Sequence, residues 1–127
     1  MTALLVRDVM IVGVPVCREG EPCGAVAARL SADALVVLDG YGVACGWLTR
    51  AALLAEAGRD PARPVGEFMD EDIPTVPPDI PAGAAAELMR DRGAEYLFLM
   101  HDWPGEARPS AMISAATIAL RLAARGD

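Results

Sequence analysis

Few side chains in this chain are placed to do chemistry. There are three cysteines, Cys17, Cys23 and Cys45, and one histidine, His101. A structural zinc site needs four Cys- or His-type ligands at matched spacing. The six-residue step from Cys17 to Cys23 with one histidine elsewhere does not supply that set, so no metal centre is expected. The odd cysteine count speaks against a disulfide framework, and buried or half-exposed thiols are expected instead. His101 has no nucleophile motif beside it and is expected to decorate a turn. The acidic run Asp70-Glu71-Asp72 reads as an exposed loop. With no glycine-rich phosphate loop and no nucleophile–base pairing in the sequence, catalysis is not expected. What remains is a pair of hydroxyls, Thr49 in "GWLTRAALLAEA" and Ser114 in "AMISAATIAL". Each closes an apolar run and opens a helix-like sequence. Each is placed to accept a hydrogen bond from a free N–H of the first helical turn.

The elements that must position these hydroxyls come from a chain of 127 residues, 54% hydrophobic, with a net charge of −7. That length suits one compact unit, and the apolar fraction excludes a disordered chain. The acidic balance argues against nucleic-acid binding by counterion release. No apolar run reaches the roughly 18 residues of a membrane span. The opening "MTALLVRDVM" lacks the pattern of a secretory signal, so the cytoplasm is the expected compartment.

The sequence repeats. "VRDVMIVGVPVCREGEPCGAVAARL", residues 6–30, aligns without gaps on "VGEFMDEDIPTVPPDIPAGAAAELM", residues 65–89, at an offset of 59. Val6 meets Val65, Met10 meets Met69, Pro15 meets Pro74, Pro22 meets Pro81 and Gly24 meets Gly83. Leu35–Leu38 and Leu97–Met100 are short apolar runs that fit buried strands. "DGYG" and the longer "DWPGEARP" read as turns, each followed by a strand and a helix. Each half is therefore predicted to be β-α-β-β-α, an α/β (α+β) fold in two copies. The boundaries are residues 1–57 for the first repeat, 58–64 for a polar linker and 65–127 for the second. Neither half alone can cover both faces of its sheet, so the two are expected to pack as one unit.

The repeat order, the "DVM" and "EFM" openings and the strand-to-helix hydroxyl together resemble a tandem pair of cystathionine β-synthase-type (CBS) domains, a Bateman module. The resemblance covers nearly the whole chain. It implies two repeats packed about a pseudo-two-fold axis, commonly assembled as a homodimer. It further implies a regulatory role, with AMP, ADP, ATP or S-adenosylmethionine bound in clefts between the repeats. Carried over position by position, the ligand-lining residues would be Val14, Pro15, Ile73 and Pro74 in the extended openings and Thr49, Ser114 and Thr117 at the joints. Arg50, Arg90 and Arg92 would be the phosphate contacts. Against this, Arg90 and Arg92 stand where a helix C-terminus favours cations, and Gly93 suits its left-handed ending.

The chain departs from the family where the joint resembles Ser/Thr-x-x-Asp, whose carboxylate meets the ribose. Here the joints read "TRAA", Thr49 to Ala52, and "SAAT", Ser114 to Thr117. Losing such a charge-assisted bond costs roughly 1.5 to 3 kcal/mol. Two readings follow. One is a sensor of an adenosine-type nucleotide, favouring the joint with Ser114 and Thr117. The other is a degenerate pair that binds no nucleotide and acts as a dimeric protein-interaction module. Trp47 is expected in the core and Trp103 on a partner surface. The Ala-rich last helix, from Ser114 to Arg125, is expected to form the homodimer contact.

Overall fold

The structure is a computed structural model describing residues 3–103 and 106–124, with the side chains of 102–107 left aside. The elements run α1 (Val6–Val9), β1 (Ile11–Val12), β2 (Val16–Arg18), α2 (Cys23–Arg29), β3 (Ala34–Leu38), β4 (Ala44–Thr49) and α3 (Arg50–Arg59). A 3-10 turn (Val65–Glu67) follows, then α4 (Ala82–Arg92), β5 (Tyr96–Trp103), β6 (Glu106–Ser114) and α5 (Ala115–Ala124). The chain divides into two compact units. One holds residues 14–73 with 102–108; the other holds residues 1–13, 74–101 and 109–127.

In the first of these units, β2 runs parallel to β3, and β3 antiparallel to β4, giving the order β2-β3-β4. The central strand β3, "ALVVL", is buried from Ala34 to Val37, which is why it reads as a continuous apolar run and not as an alternation. Leu35 and Val37 join Cys17, Cys23, Val26, Leu48, Leu53 and Val65 in one core. The segment read as a polar linker bonds to the start of α2: Cys23 N–H donates to Arg63 O and Gly24 N–H to Pro61 O, both at 2.9 Å. Gly58 and Arg59 belong to α3.

In the other unit the order is β1-β6-β5, with Ile11 opposite Met112 and Val12 opposite Ala111. The core is Val6, Val9, Val76, Ala82, Ala85, Met89, Leu97, Leu99, Ala111, Ile113 and Ile118. The first strand expected in the second copy is reduced to one parallel bridge, Thr75 to Phe98. Its sequence, "PTVPP", explains this, since proline has no N–H for a ladder. The expected turn "DWPGEARP" is instead mostly strand, β5 running to Trp103 and β6 starting at Glu106. The expectation of Trp103 on a partner surface concerns a side chain outside those described.

The opening segments explain the composition of the units. Val6 N–H donates to Ile80 O at 2.9 Å, and Val65 N–H donates to Glu21 O at 3.0 Å. Glu21 and Ile80 are related by the 59-residue offset, as are Val6 and Val65. Each opening therefore packs on the body of the other copy.

Gly24 and Gly83 coincide in the repeat but differ in surroundings. A Cβ on Gly24 would lie 2.7 Å from Pro61 Cβ and 3.1 Å from Pro61 O, whereas one on Gly83 meets nothing within 4 Å. Gly24→Ala is thus expected to cost about 1–3 kcal/mol through overpacking against a rigid ring. Gly83→Ala is expected to stabilise by up to about 1 kcal/mol through helix propensity. Thermal unfolding checks both: opposite shifts of a few degrees are expected.

Candidate functional site

The joints form as capped helix starts. Thr49 Oγ1 accepts from Ala52 N–H at 3.1 Å, with Thr49 itself in extended backbone. Ser114 Oγ accepts from Thr117 N–H at 3.1 Å and donates to Thr117 Oγ1 at 2.8 Å. Caps of this kind contribute about 0.5–2 kcal/mol each. The two joints differ in what they leave over. Thr49 Oγ1 donates to no acceptor among the described residues. At the second joint, the hydroxyl proton of Ser114 is spent on Thr117.

Thr49 opens on a pocket of about 240 Å³ lined by Trp47, Leu48, Thr49, Ala52, Phe68 and Asp70. Sequence register builds it. Val36 on β3 stands opposite Trp47 on β4, and the next neighbour outward is Asp70. Trp47 N–H donates to Asp70 O at 2.9 Å and Asp70 N–H to Trp47 O at 3.0 Å, so the "EFMDED" segment acts as a one-residue extension of the sheet. Gly46 lies against Met69 in this arrangement. The indole N–H of Trp47 donates to Asp72 O at 3.1 Å, fixing the ring. The Arg63 guanidinium sits 5.3 Å from the Phe68 ring centroid. It is held there by Glu56 at 2.9 Å and Glu67 at 3.5 Å. The result is a small pocket with two aromatic side chains, one hydroxyl donor and one carboxylate. Trp47, expected in the core, is half-exposed instead because it forms this wall.

The other predicted residues fall as follows. Pro15 O accepts from Val36 N–H at 3.1 Å and Pro74 O from Phe98 N–H at 2.8 Å, so the two prolines hold equivalent places beside their central strands. Val14 and Ile73, one residue earlier, are half-buried. Arg50 is exposed at the start of α3, with its backbone N–H donating to Asp33 O at 2.7 Å. Arg90 and Arg92 are exposed in the last turn of α4, which Gly93 ends at φ 65°. Arg90 borders a groove of about 490 Å³ between α4 and α5, walled by Met89, Ala115, Ile118 and Leu122. Ser114 and Thr117 are half-buried. The sequence reading missed Phe68 and Asp70. Their signal was the aligned opening itself: Asp70 matches Ile11, which pairs with β6 just as Asp70 pairs with β4.

A model of the CBS domain matches residues 6–58 and 65–119. The chain belongs to the CBS-domain family. Among solved structures, the CBS domain pair of protein MJ0100, in complex with 5′-methylthioadenosine and S-adenosyl-L-methionine, matches with a TM-score of 0.83 at 17% identity, over 98% of this chain and 99% of that one. A CBS-domain protein of Agrobacterium tumefaciens, ATU1752, matches with a TM-score of 0.78 at 18% identity, over 94% and 93% of the two chains. CBSX2 in complex with AMP matches with a TM-score of 0.76 at 16% identity, over 98% and 99%. Among the curated proteins none matches. The chain is thus a tandem CBS pair, a Bateman module with the fold of these relatives, and CBS pairs are in general regulatory modules. No helix among the described residues is long and apolar enough to cross a membrane.

Among the described residues of the CBS pair there is no cluster able to hold a metal ion. The thiols are packing groups. Burial pushes the Cys17 thiol up to about 11, with the nearby Glu21 carboxylate adding to the shift. Cys45 is also raised to about 11, by desolvation first and then by Glu19. An unfolded thiol ionises near 9, so the unfolded chain releases its proton first as pH rises. The stability gained by keeping Cys17 neutral is intact below pH 9 and is lost between about 9 and about 11. The chain has no lysine, so few other groups titrate in that window. Denaturant unfolding is expected to show falling stability from pH 9 to 11, and a shallower fall for Cys17→Val; equal slopes would show that this thiol is not responsible.

Proposed function

We propose that this CBS pair is a non-catalytic regulatory module that senses an adenosine-type ligand, of the AMP, ADP, ATP or S-adenosylmethionine class. The observation that carries the reading is the pocket at the first joint, where Thr49 stands beside the side chains of Trp47 and Phe68. Aromatic walls suit the flat face of a base, and a hydroxyl donor suits a sugar or ring acceptor. At about 240 Å³ the pocket holds part of a nucleoside. The solved relatives carrying 5′-methylthioadenosine, S-adenosyl-L-methionine or AMP lend support by likeness of fold. In this reading Val14, Pro15, Arg50 and Ile73 belong with the first joint, and Pro74, Arg90, Arg92, Ser114 and Thr117 belong with the second, each within its own unit. The module works in the cytoplasm as a homodimer through α5, whose Leu120 is 72% exposed.

A second reading has its own observation. Ala52 offers no polar group, and the Ser114 proton is spent on Thr117, so the joints have lost much of the family's ribose chemistry. A degenerate pair acting only as a dimeric protein-interaction module would look like this.

Thermal unfolding with millimolar AMP, ADP, ATP and S-adenosylmethionine, each separately, divides the two. A ligand at about a hundred times its dissociation constant adds roughly 2.7 kcal/mol, a rise of several degrees. A rise with one class is expected; no rise with any would leave the interaction module as the function. Light scattering on the same sample is expected to give twice the chain mass, and a single chain mass would remove the dimer.

A further inference from the structure

Two stretches of chain wall the joint pocket. Trp47, Leu48, Thr49 and Ala52 belong to β4 and the first turn of α3, while Phe68 and Asp70 follow the 3-10 turn at Val65–Glu67. Backbone bonds fix the second stretch on either side of Phe68. Gly66 N–H donates to Glu19 O at 2.9 Å, and residue 70 exchanges two bonds with Trp47. The Phe68 ring itself is half-buried and packs on the core of this unit. Where its face stands is left to side-chain contacts.

Arg63 supplies such a contact and links the two stretches. Its Nη1 donates to Glu56 Oε1 on α3 at 2.9 Å. Its Nε and Nη2 donate to Glu67 Oε1 and Glu67 O in the 3-10 turn, both at 3.5 Å. The guanidinium carbon lies 5.3 Å from the centre of the Phe68 ring, within the range of a cation–π contact. The Arg63 backbone is held in turn, its N–H donating to Asp60 O at 3.1 Å and its O accepting from Cys23 N–H at 2.9 Å. The Glu56 side chain is 15% exposed, so its ion pair with Arg63 is screened less than a pair at the open surface. A planar guanidinium can grip carboxylates at its edge and lie over an aromatic ring with its face; a lysine ammonium has no such fork. Arg63 is not among the six residues lining the pocket, so its effect there runs through Phe68.

We infer that Arg63 is the positioning residue of the joint pocket. It clips α3 to the 3-10 turn and fixes the Phe68 ring as the pocket's second aromatic wall. The inference rests on the reading of this joint as a ligand pocket and adds the residue that sets where that wall stands. What Arg63 tunes is the grip on a flat ring, with no contact of its own to a phosphate.

A double-variant cycle on the full chain tests this, with Arg63→Ala, Phe68→Ala and the two combined. Isothermal titration uses adenosine, AMP, ATP and S-adenosylmethionine as probes. Arg63→Ala is expected to weaken every probe that binds by a similar factor, about threefold to tenfold. In the Phe68→Ala background it is expected to add nothing, because residues that act through one another are not additive. Arg63→Lys, which keeps the charge and the stem, is expected to fall between the parent and Arg63→Ala at unchanged unfolding temperature. A second readout needs no ligand. With Trp103→Phe leaving Trp47 as the single indole, acrylamide quenching of Trp47 is expected to rise in Arg63→Ala and in Phe68→Ala, and no further in the pair. Any of three results overturns the inference and leaves the sensor reading standing: losses that add across the cycle, a loss confined to the phosphate-bearing probes, or Trp47 quenching that Arg63→Ala leaves unchanged. Binding of none of the four by the parent removes the sensor reading, and the quenching cycle then decides the inference alone.

Discussion

Everything in this structure depends on the reciprocal hydrogen bonds by which each copy's opening segment is held on the other copy's body. Val6 bonds Ile80 and Val65 bonds Glu21, at matched positions of the repeat. Val6 and Val65 are both fully buried, each in a different core. Without the exchange, each core would lose an anchoring valine and a run of backbone partners. A buried valine alone is worth roughly 1.5–3 kcal/mol, a large share of the net stability of a domain this size. The same exchange makes the joint pocket. The segment that follows Val65 carries Phe68 and Asp70 to the edge of β4, so two of the six lining residues come from the second copy.

At the joints, the hydroxyl is first of all a structural group. The capping bond satisfies the helix and explains Thr49 and Ser114 by itself. What distinguishes the two sites is the neighbour one turn on. Ala52 leaves the Thr49 hydroxyl facing an open pocket, while Thr117 turns the Ser114 hydroxyl inward. A single residue type at the fourth position thus decides whether the joint hydroxyl gives its proton to a neighbour one turn on.

Much of this was legible beforehand, because periodic apolar runs and capping residues act locally. The strands at Leu35–Leu38 and Leu97–Met100, the capped starts of α3 and α5, and the left-handed Gly93 follow from neighbours in the chain. From Gly24 to Leu35 is three positions shorter than from Gly83 to Leu97, and correspondingly α2 has seven residues where α4 has eleven. What escaped was non-local. "DWPGEARP" carries turn residues, yet β5 and β6 extend into it. Phe68 and Asp70 could not be placed at a site from their own neighbours, since only pairing with Trp47 brings them there.

The exchanged openings also govern the order in which the chain can acquire its structure. The β3–β4 hairpin closes between Leu38 and Ala44, so it can form early. The contact of Val6 with Ile80 must wait for more than seventy intervening residues, which adds roughly 2–3 kcal/mol of loop-closure entropy over that hairpin. The bond from Arg121 to the Asp8 carbonyl spans 113 residues. As the polypeptide emerges during synthesis, its first dozen residues have no completed partner until most of the second copy is made. Topology of this kind sets a slow rate of assembly, and it ties the first copy's opening segment to the presence of the second.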